Sequence, residues 1–371
     1  MKSPKIRFKG FDGDWEQRKF SEIASRESTA QESSRYFPSV EYEDVITEAG
    51  RLNKDVNQKE VVKKGIVFDG SQVLYGKLRP YLHNWLNPDF SGVAVGDWWV
   101  LKPIDTDKSF LYRLVQTQQF DDVANQSAGS KMPRADWNFV SNSEFAVPVS
   151  QDEQTMIGEY FSSLDTLITL HQKKFEQLTI LKKYMLQKMF PQNGSDKPEI
   201  RFEGFTDDWE QRKLSDVVDV RSGRDYKHLE EGDIPVYGTG GYMLSVSEAL
   251  SDDEDAIGIG RKGTIDNPYI LRAPFWTVDT LFYAVPREKH DLNFVYGIFQ
   301  NINWKAKDES TGVPSLSKAT INAVSTMTPD YEEQRLIGEY FSNLDHLITL
   351  HQQKCDELRN AKKFMLQNMF I

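Results

Sequence analysis

The sequence predicts an α+β protein built as a pseudo-twofold tandem repeat, in which two mixed α/β domains are joined by two long antiparallel coiled-coil helices. Three observations lead to this prediction. The segment 152–190 returns with few changes as 332–370, and the segment 6–23 returns as 200–217. Between the members of each repeat lies a block of strand-like runs whose sequence differs between the two halves. Internal repetition of this kind is the signature of a tandem architecture.

The repeat divides the 371-residue chain into five segments. Residues 1–150 hold a leading segment and the first domain, and residues 151–190 form the first long helix. A linker with the Pro, Asn, Gly and Ser of a connecting turn follows at 191–199. Residues 200–330 hold the second leading segment and the second domain, and residues 331–371 form the second long helix. A chain of this length is ample for two to three domains with real cores.

The two leading segments, defined as residues 6–23 and 200–217, share the letters W-E-Q-R-K. The tryptophan in each, Trp15 or Trp209, is either a surface handle for a partner or an anchor that packs the segment onto a helix. Apolar residues stand close to each tryptophan in the sequence. This favours the anchor, because a large apolar side chain with such neighbours is usually buried.

The variable blocks contain short β-like runs separated by Gly, Asp and Pro. In the first block we predict a helix over 111–123 and extended runs that cover 65–68, 72–75, 92–96, 98–101 and 144–148. In the second block we predict a helix over 292–303 and extended runs that cover 234–237, 255–261 and 276–285. The order of elements matches while the sequences barely do, which suggests one task performed on two different targets.

The long segments carry apolar residues at spacings of three and four, which places one stripe on one helix face. A helix of some 35 residues spans roughly 50 Å. Two near-identical stripes favour pairing with each other as a coiled coil, although each helix could instead pack on its own domain. The residues predicted to pair are Ile157, Phe161, Leu164, Ile168, His171, Phe175, Ile337, Phe341, Leu344, Ile348, His351 and Cys355.

Two histidines, His171 and His351, occupy equivalent positions on this stripe. A polar residue on a coiled-coil seam often fixes register or partner. No second His or Cys follows either histidine at the spacing of zinc ligands, so we predict that they serve pairing rather than metal binding.

Composition limits the class of protein. The net charge of −11 argues against nonspecific coating of nucleic acid, which depends on Lys and Arg. Charge is nevertheless segregated, since residues 51–79 carry seven Lys and Arg against three Asp and Glu. A single cysteine, the absence of a signal peptide and the absence of a membrane-length apolar run predict a cytoplasmic protein.

Several motifs suggest catalysis but lack the context that catalysis needs. Residues 258–263 fit G-x-G-x-x-G, yet Pro268 and β-branched residues follow where a helix is required, so we predict a turn with Arg261 and Lys262 at its tip. Residues 70–78 differ from a P-loop in spacing, and Leu78 replaces its Ser or Thr. We find no catalytic triad and no ligand spacing for a metal in the sequence. We therefore predict no catalytic centre.

The repeated W-E-Q-R-K segment, the repeated I-G-E-Y-F-S-x-L-D-x-L-I-T-L-H-Q helix and four further runs resemble one family. These runs are GKLRPYL at 76–82, IPVYGTGG at 234–241, GRKGTI at 260–265 and PFWTVDT at 274–280. Over essentially its whole length the chain resembles the specificity (S) subunit of type I restriction-modification systems. The resemblance implies that each variable block is a target recognition domain that reads one half of a split DNA sequence, while the paired helices hold the domains a fixed distance apart.

The resemblance also implies partners and cofactors. The chain is expected to bind no cofactor and to perform no catalysis. It is expected to bind double-stranded DNA and two methyltransferase subunits, which use S-adenosylmethionine. Two motor-nuclease subunits, with ATP and magnesium, are expected in the full complex. Because the chain is acidic, we expect the isolated subunit to bind DNA weakly.

We expect the DNA contacts to come from the basic and aromatic residues of loops, since Arg and Lys pair efficiently with guanine. The candidates are Lys77, Arg79, Lys131 and Arg134 in the first domain and Arg224, Tyr237, Arg261, Lys262 and Lys318 in the second. Each could instead be a solvated surface side chain. Two other functions stay open, namely a DNA-modifying enzyme, for which no methyl-donor pattern is seen, and a coiled-coil scaffold without DNA recognition.

Overall fold

The computed structural model describes residues 3–126, 132–192 and 194–371. The chain forms two compact units, which we describe separately. The first unit combines Met1–His171 with Gln353–Ile371, and the second consists of Gln172–Gln352. Each unit therefore contains one variable block, the first part of one long helix and the last part of the other.

The strands of the first unit form two four-stranded sheets and two two-stranded ones, in the orders β3-β7-β10-β4, β2-β11-β8-β9, β1-β12 and β5-β6. Among the described strands of this unit, the pair β4 and β10 is parallel and the other pairs are antiparallel. The strands among the described residues are β1 (Glu16–Lys19), β2 (Ala24–Arg26), β3 (Ala30–Glu32), β4 (Ser39–Val40), β5 (Val45–Ile46), β6 (Arg51–Leu52), β7 (Lys64–Phe68), β8 (Val73–Gly76), β9 (Trp85–Leu86), β10 (Gly92–Ala94), β11 (Trp98–Pro103) and β12 (Glu144–Val147).

The helices of the first unit are α1 (Phe20–Ile23), α2 (Lys108–Leu114), α3 (Gln118–Asn125), α4 (Trp137–Asn142), the first part of α5 (Gln151–Lys188) and the last part of the second long helix. The prediction of one helix over 111–123 was wrong. The chain ends one helix and starts another there, because the Thr117 hydroxyl accepts a hydrogen bond from the Phe120 amide at 3.3 Å. A threonine that caps a new helix interrupts the old one.

The second unit repeats this plan with one four-stranded sheet, β14-β20-β17-β18, one three-stranded sheet, β16-β15-β19, and the pair β13-β21. Its strands are β13 (Glu210–Lys213), β14 (Val218–Ser222), β15 (Glu231–Gly238), β16 (Gly241–Val246), β17 (Ala256–Gly260), β18 (Tyr269–Leu271), β19 (Trp276–Thr277), β20 (Leu281–Pro286) and β21 (Ser325–Thr328). Its helices are the last part of α5, α6 (Leu214–Val217), α7 (Leu292–Asn301), α8 (Lys318–Ala323) and the first part of α9 (Tyr331–Asn368). The extended run predicted over 276–285 is two strands, since the Leu281 amide donates to the Val278 carbonyl in a turn at 3.0 Å.

Within each unit the two long helices run antiparallel. In the first unit the Phe161 ring lies 6.3 Å from that of Phe370, and the Lys362 Nζ lies 2.7 Å from the Asp165 carboxylate. In the second unit the Phe190 and Phe341 rings are 5.9 Å apart, and the Lys182 Nζ lies 2.6 Å from the Asp345 carboxylate. As the residue numbers rise along one helix, the residues that it contacts on the other helix have falling numbers, which is the pattern of an antiparallel pair.

The predicted pairing residues differ in burial along the helices. The buried ones are Ile157, Phe161, Leu164, Ile337, Phe341, Leu344 and Cys355. The partly exposed ones are Ile168, His171, Phe175, Ile348 and His351. Ile157, Phe161 and Leu164 join the core that contains Met369 and Phe370, whereas Ile337, Phe341 and Leu344 join the core that contains Met189 and Phe190. Cys355 is buried against the Ile168 carbonyl, with a sulfur-to-oxygen distance of 3.7 Å.

The leading segments are anchored by buried side chains, so the anchor interpretation of Trp15 and Trp209 is confirmed: they are 2% and 3% exposed. The ion pairs beside them were not predicted from the sequence. Arg7 donates from Nε and Nη2 to the buried Glu153 carboxylate at 2.6 and 2.8 Å, and Arg201 donates to Glu333 at 2.6 and 2.7 Å. The repeat is thus fixed at its start by the same charged contact in both units.

Among the described residues, none of the helices combines the length and the apolar character that crossing a bilayer requires. The combination of mixed sheets with long paired helices in two repeated units confirms the predicted α+β class.

Candidate nucleic-acid interface

In the first unit the loop after β8 is held by backbone hydrogen bonds on both sides. The Lys77 amide donates to the Asp97 carbonyl at 2.9 Å, and the Lys77 carbonyl accepts from the Ala135 amide at 2.9 Å. The Arg79 amide donates to the Pro133 carbonyl at 2.7 Å. These contacts bring the segment that carries Lys77 and Arg79 against the segment that carries Arg134.

Asp97 partly neutralises this basic loop. Its two carboxylate oxygens accept from Nε and Nη2 of Arg134 at 3.1 and 3.0 Å, and the Lys77 Nζ lies 3.6 Å away. The bidentate bond from Arg134 holds the pKa of Asp97 below its usual range, and the same bond raises the pKa of Arg134. A bidentate Arg–carboxylate pair is both strong and geometrically specific.

Arg79 is strained as well as basic. Its backbone has φ of 48° and ψ of 67°, in the left-handed region, which costs a non-glycine residue about 1–3 kcal/mol. Its Nε is buried and has no hydrogen-bond partner within the described structure. Strain and an unsatisfied buried donor in one residue are typical of a residue kept for function.

Replacing Arg79 with glycine is expected to raise the free energy of unfolding by about 1 kcal/mol, because glycine adopts the left-handed region without strain. The same change is expected to weaken DNA binding by the assembled complex. Urea unfolding measures the first effect and filter or fluorescence binding the second. Gly263→Ala, at the equivalent position of the second unit, should lower stability instead. A loss of stability in Arg79→Gly would show that the Arg79 backbone is not strained.

The basic surface of the first domain is smaller than its sequence suggests. Lys131 lies outside the described residues. The charge excess of 51–79 is partly cancelled by acidic residues that precede that stretch in the sequence. Lys54 and Lys59 lie 2.8 and 2.9 Å from carboxylates of Asp44 and Glu41, and Lys63 also pairs with Glu41. The net positive charge that this segment presents at the surface is therefore smaller than the charge counted along its sequence.

In the second unit three equivalent backbone hydrogen bonds hold the loop after β17, and we call this set of three bonds the backbone frame. The Arg261 amide donates to the Thr280 carbonyl at 2.8 Å, and the Arg261 carbonyl accepts from the Leu316 amide at 2.9 Å. The Gly263 amide donates to the Pro314 carbonyl at 2.8 Å. Gly263 has φ of +97° and so occupies the place of the strained Arg79. Like Leu78 and Arg134 in the first unit, Lys262 and Ser315 form an isolated antiparallel bridge.

The basic residues of this second loop are exposed. The Arg261 guanidinium bonds only weakly to the Asp279 carbonyl, at 3.4 Å, and lies 5.8 Å from the Phe282 ring. In the part of the chain that the structure describes, no carboxylate within 4.0 Å pairs with Arg261 or Lys262. Lys318 is also exposed, at the first position of α8, and follows Ser317, the N-cap of that helix. The structure thus brings Arg261, Lys262 and the segment before Lys318 together.

Beside this loop lies an open cleft of about 700 Å³. Its lining residues are Asp225, Tyr226, Lys227, Gly238, Thr239, Gly240, Gly241, Tyr242, Met243, Val278, Asp279 and Thr280. Arg224 stands at its edge and is exposed, with its amide bonded to the Thr277 carbonyl at 2.8 Å. Tyr237 is half-buried, and its ring meets those of Tyr242 and Tyr269 edge to face or tilted at 6.3 and 6.1 Å.

None of the residues that line this cleft was predicted from the sequence as a DNA contact, although Tyr226, Lys227 and Tyr242 are aromatic or basic like the predicted candidates. Tyr242 follows the run IPVYGTGG directly, so the run indicated the right hairpin but not the residue beyond its turn. The predicted turn at 261–262 is confirmed, since the described residues 264–268 contain no helix after Gly263. In the described residues no group of three or more His, Cys, Asp or Glu side chains is arranged to hold a metal ion.

Comparison with known proteins identifies the family. Residues 13–179 and 206–360 both match the sequence profile described as the type I restriction modification DNA specificity domain. A relative from Methanocaldococcus jannaschii, the type I restriction enzyme MjaVIII specificity subunit, is 22% identical over 361 aligned positions, which cover 85% of this chain and 80% of the relative.

Two solved structures resemble the fold. The type I restriction-modification S subunit from M. genitalium matches with a TM-score of 0.73 at 16% identity and covers 100% of this chain and 99% of its own. A structure from work on assembly and conformational transition of a type I restriction-modification system matches with a TM-score of 0.53 at 16% identity, over 95% and 96% of the two chains. The chain belongs to the family of type I restriction-modification specificity subunits and contains two copies of its DNA specificity domain.

Proposed function

We propose that this specificity subunit reads an asymmetric, bipartite DNA site, with one domain for each half-site. One observation carries the proposal. The loops after β8 and β17 are held in the same backbone frame, yet the side chains in that frame differ. Lys77, Arg79 and Arg134 occupy it in the first unit, whereas Arg261 and Lys262 occupy it in the second.

The chemistry of base recognition supports this proposal. Sequence is read by side chains at base edges in the major groove, where every base pair presents a distinct pattern of donors and acceptors. Different side chains on one backbone frame therefore favour different bases at the same relative place. Two identical half-sites would need two identical sets of side chains, and the chain does not have them. We infer that the two half-sites differ in sequence.

We propose that the long helices bind two methyltransferase subunits. Leu167 and Leu170 on α5 are 43% and 61% exposed, and the equivalent Leu347 and Leu350 on α9 are 39% and 48% exposed. Apolar side chains that are grouped and exposed often mark a protein interface. Because the repeat presents the same pair of leucines twice, it offers two equivalent sites, which supports two copies of the partner.

In this proposal the chain itself performs no catalysis. The methyltransferase subunits supply S-adenosylmethionine chemistry, and two motor-nuclease subunits add ATP and magnesium in the full complex. The chain contributes recognition and assembly.

Replacing Leu170 with glutamate is expected to weaken binding of one methyltransferase subunit roughly tenfold or more, because a buried carboxylate without a partner is costly. The chain should keep its fold, since Leu170 is exposed. Size-exclusion chromatography with light scattering should show complexes with one partner instead of two, and Leu350→Glu should do the same. The double variant should bind neither. Full assembly by the double variant would exclude these leucines from the interface.

Methylation sequencing tests the proposed function. DNA from cells that express this chain with its methyltransferase subunit is compared with DNA from cells that lack the chain. A new split motif with two different halves is expected. The net charge of −11 favours the alternative of a scaffold without DNA recognition. That alternative predicts no new motif when the partner is expressed and active with another specificity subunit.

A further inference from the structure

The clearest chemical difference between the two backbone frames lies at one position. In both units the amide of the first loop residue donates a hydrogen bond to the carbonyl of the residue just before a long strand. The Lys77 amide donates to Asp97 in the first unit, and the Arg261 amide donates to Thr280 in the second. Asp97 adds a carboxylate that binds Arg134 and approaches Lys77. Thr280 brings no charge to Arg261 and Lys262.

We infer that Asp97 is a specificity-determining residue of the first domain, which positions Arg134 to read a guanine and withholds positive charge from the DNA backbone. The inference rests on the proposed function and deepens it. Asp97 is a positioning residue in this account, since it acts through Arg134.

Positioning follows from the geometry of the pair. Two parallel bonds from one guanidinium to one carboxylate, at 3.1 and 3.0 Å, fix the plane of Arg134, although its side chain is 50% exposed. A fixed plane lowers the entropy lost when the guanidinium binds a base edge, and Arg binds guanine O6 and N7 better than the other bases. An oriented guanidinium therefore discriminates guanine more strongly than a freely rotating one.

Withholding charge follows from the electrostatics. Asp97 offsets one of the two cations that approach it, and its depressed pKa keeps it ionised at neutral pH. Attraction to phosphates does not depend on sequence, so reducing it lowers affinity for wrong sites as much as for right ones. A larger share of the remaining DNA affinity of the first domain therefore comes from contacts with base edges. The second domain, whose described loop cations lack a carboxylate, is expected to supply more of the salt-dependent affinity.

The backbone frame does not depend on the Asp97 side chain. The Tyr42 hydroxyl donates to the Asp97 main-chain carbonyl at 3.1 Å and accepts from the Leu78 amide at 2.8 Å. Burial raises the pKa of Tyr42, so the hydroxyl keeps its proton at neutral pH. Asp97→Asn keeps the size of the side chain and these main-chain bonds, so the variant is expected to fold.

The test uses the complex assembled with its methyltransferase subunit and duplexes built on the motif found by sequencing. Binding is measured across a salt series for the cognate duplex and for duplexes with one base pair changed in either half-site. In Asp97→Asn we expect the log–log salt dependence to steepen by about 0.9 for each additional phosphate that the first loop neutralises. The ratio between the affinity for the cognate duplex and the affinity for a duplex changed at a guanine of the first half-site should fall roughly tenfold. Discrimination in the second half-site should not change.

Three controls sharpen the result. Asp97→Glu keeps the charge and should retain the wild-type salt dependence. Asp122→Asn removes an exposed carboxylate on α3 that bonds to the Gln118 amide and not to a cation of the loop, and it should change neither quantity. Thr280→Asp adds a carboxylate at the equivalent position and should make the salt dependence shallower. Melting temperature is followed for every variant.

Unchanged salt dependence and discrimination in Asp97→Asn would overturn the inference, as would an equal loss of discrimination in both half-sites, which a general structural role would cause. If the wild-type complex yields no split motif, the proposed function fails. A clear motif together with an inert Asp97→Asn variant removes only the role of Asp97.

Discussion

Replacing Asp165 with asparagine is expected to lower the free energy of unfolding by about 3 kcal/mol, because it leaves two cations without their carboxylate. Arg113 is only 2% exposed, and its Nη1 lies 2.6 Å from Asp165. Lys362 lies 2.7 Å from the other oxygen of the same carboxylate. Asp165 itself is 29% exposed, but leaving a buried cation such as Arg113 without its partner costs far more than breaking an exposed ion pair.

The loss of unfolding free energy in Asp165→Asn should depend on pH. Burial lowers the pKa of Lys362, although Asp165 acts in the opposite direction. Without Asp165 that pKa falls further below its value in the unfolded chain. Between the two values the unfolded chain binds more protons than the folded one, so stability should rise as the pH increases. The deficit of Asp165→Asn relative to wild type should therefore shrink from pH 7 towards pH 10 in urea unfolding experiments.

Asp345→Asn is the matched control in the second unit. Asp345 occupies the equivalent position, where it pairs with Lys182 and is 39% exposed. Its loss should cost about 1 kcal/mol, as expected for a partly exposed pair. Equal losses at the two positions would mean that the buried Arg113 does not depend on Asp165.

Replacing both Arg261 and Lys262 with alanine is expected to lower affinity for the cognate duplex roughly 100-fold at physiological salt, since each base or phosphate contact of this type is worth about 1–3 kcal/mol. Both side chains are exposed on the turn after β17, so stability should change little. The salt dependence should become shallower by about 1 to 2 units of slope. Titration of the assembled complex at several salt concentrations measures both quantities.

The comparison with the first domain makes this prediction specific. Lys77→Ala removes a lysine that Asp97 already approaches, so its effect should be smaller than that of Lys262→Ala. Lys305→Ala in the second unit removes an exposed lysine that pairs with Asp266, and it serves as a control for net charge. Lys305→Ala removes one charge and the double variant removes two, so a loss of binding free energy half as large in Lys305→Ala would reflect overall charge, not contact by the loop.

Local patterns in the sequence predicted the long helices, the repeated plan and the loops that carry the basic residues. The spacing of Ile157, Phe161 and Leu164 was sufficient for the helix, because helical periodicity is a local property. The division between α2 and α3 was missed because one hydroxyl, that of Thr117, decided it. Propensity over a window does not resolve a single capping bond.

The electrostatics of the candidate interface could not be predicted from the sequence. Arg134 and Asp97 are 37 residues apart and meet only because two strands and a loop bring them together. Lys59 likewise finds its partner in Glu41, outside the stretch whose charge was counted. The sign of a surface depends on pairs formed in three dimensions, whereas a count along the chain treats every charge as free.

The way in which the chain is divided between the two units implies an order of folding during synthesis. Residues 172–352 are continuous and contain the whole second unit, so that unit can close as soon as they leave the ribosome. The first unit includes Met369 and Phe370 in its core, with the Phe110 and Phe370 rings stacked 5.4 Å apart. The half that is translated first therefore matures last. While it waits, an apolar surface around Phe110 and Trp15 remains open to chaperones and to other nascent chains.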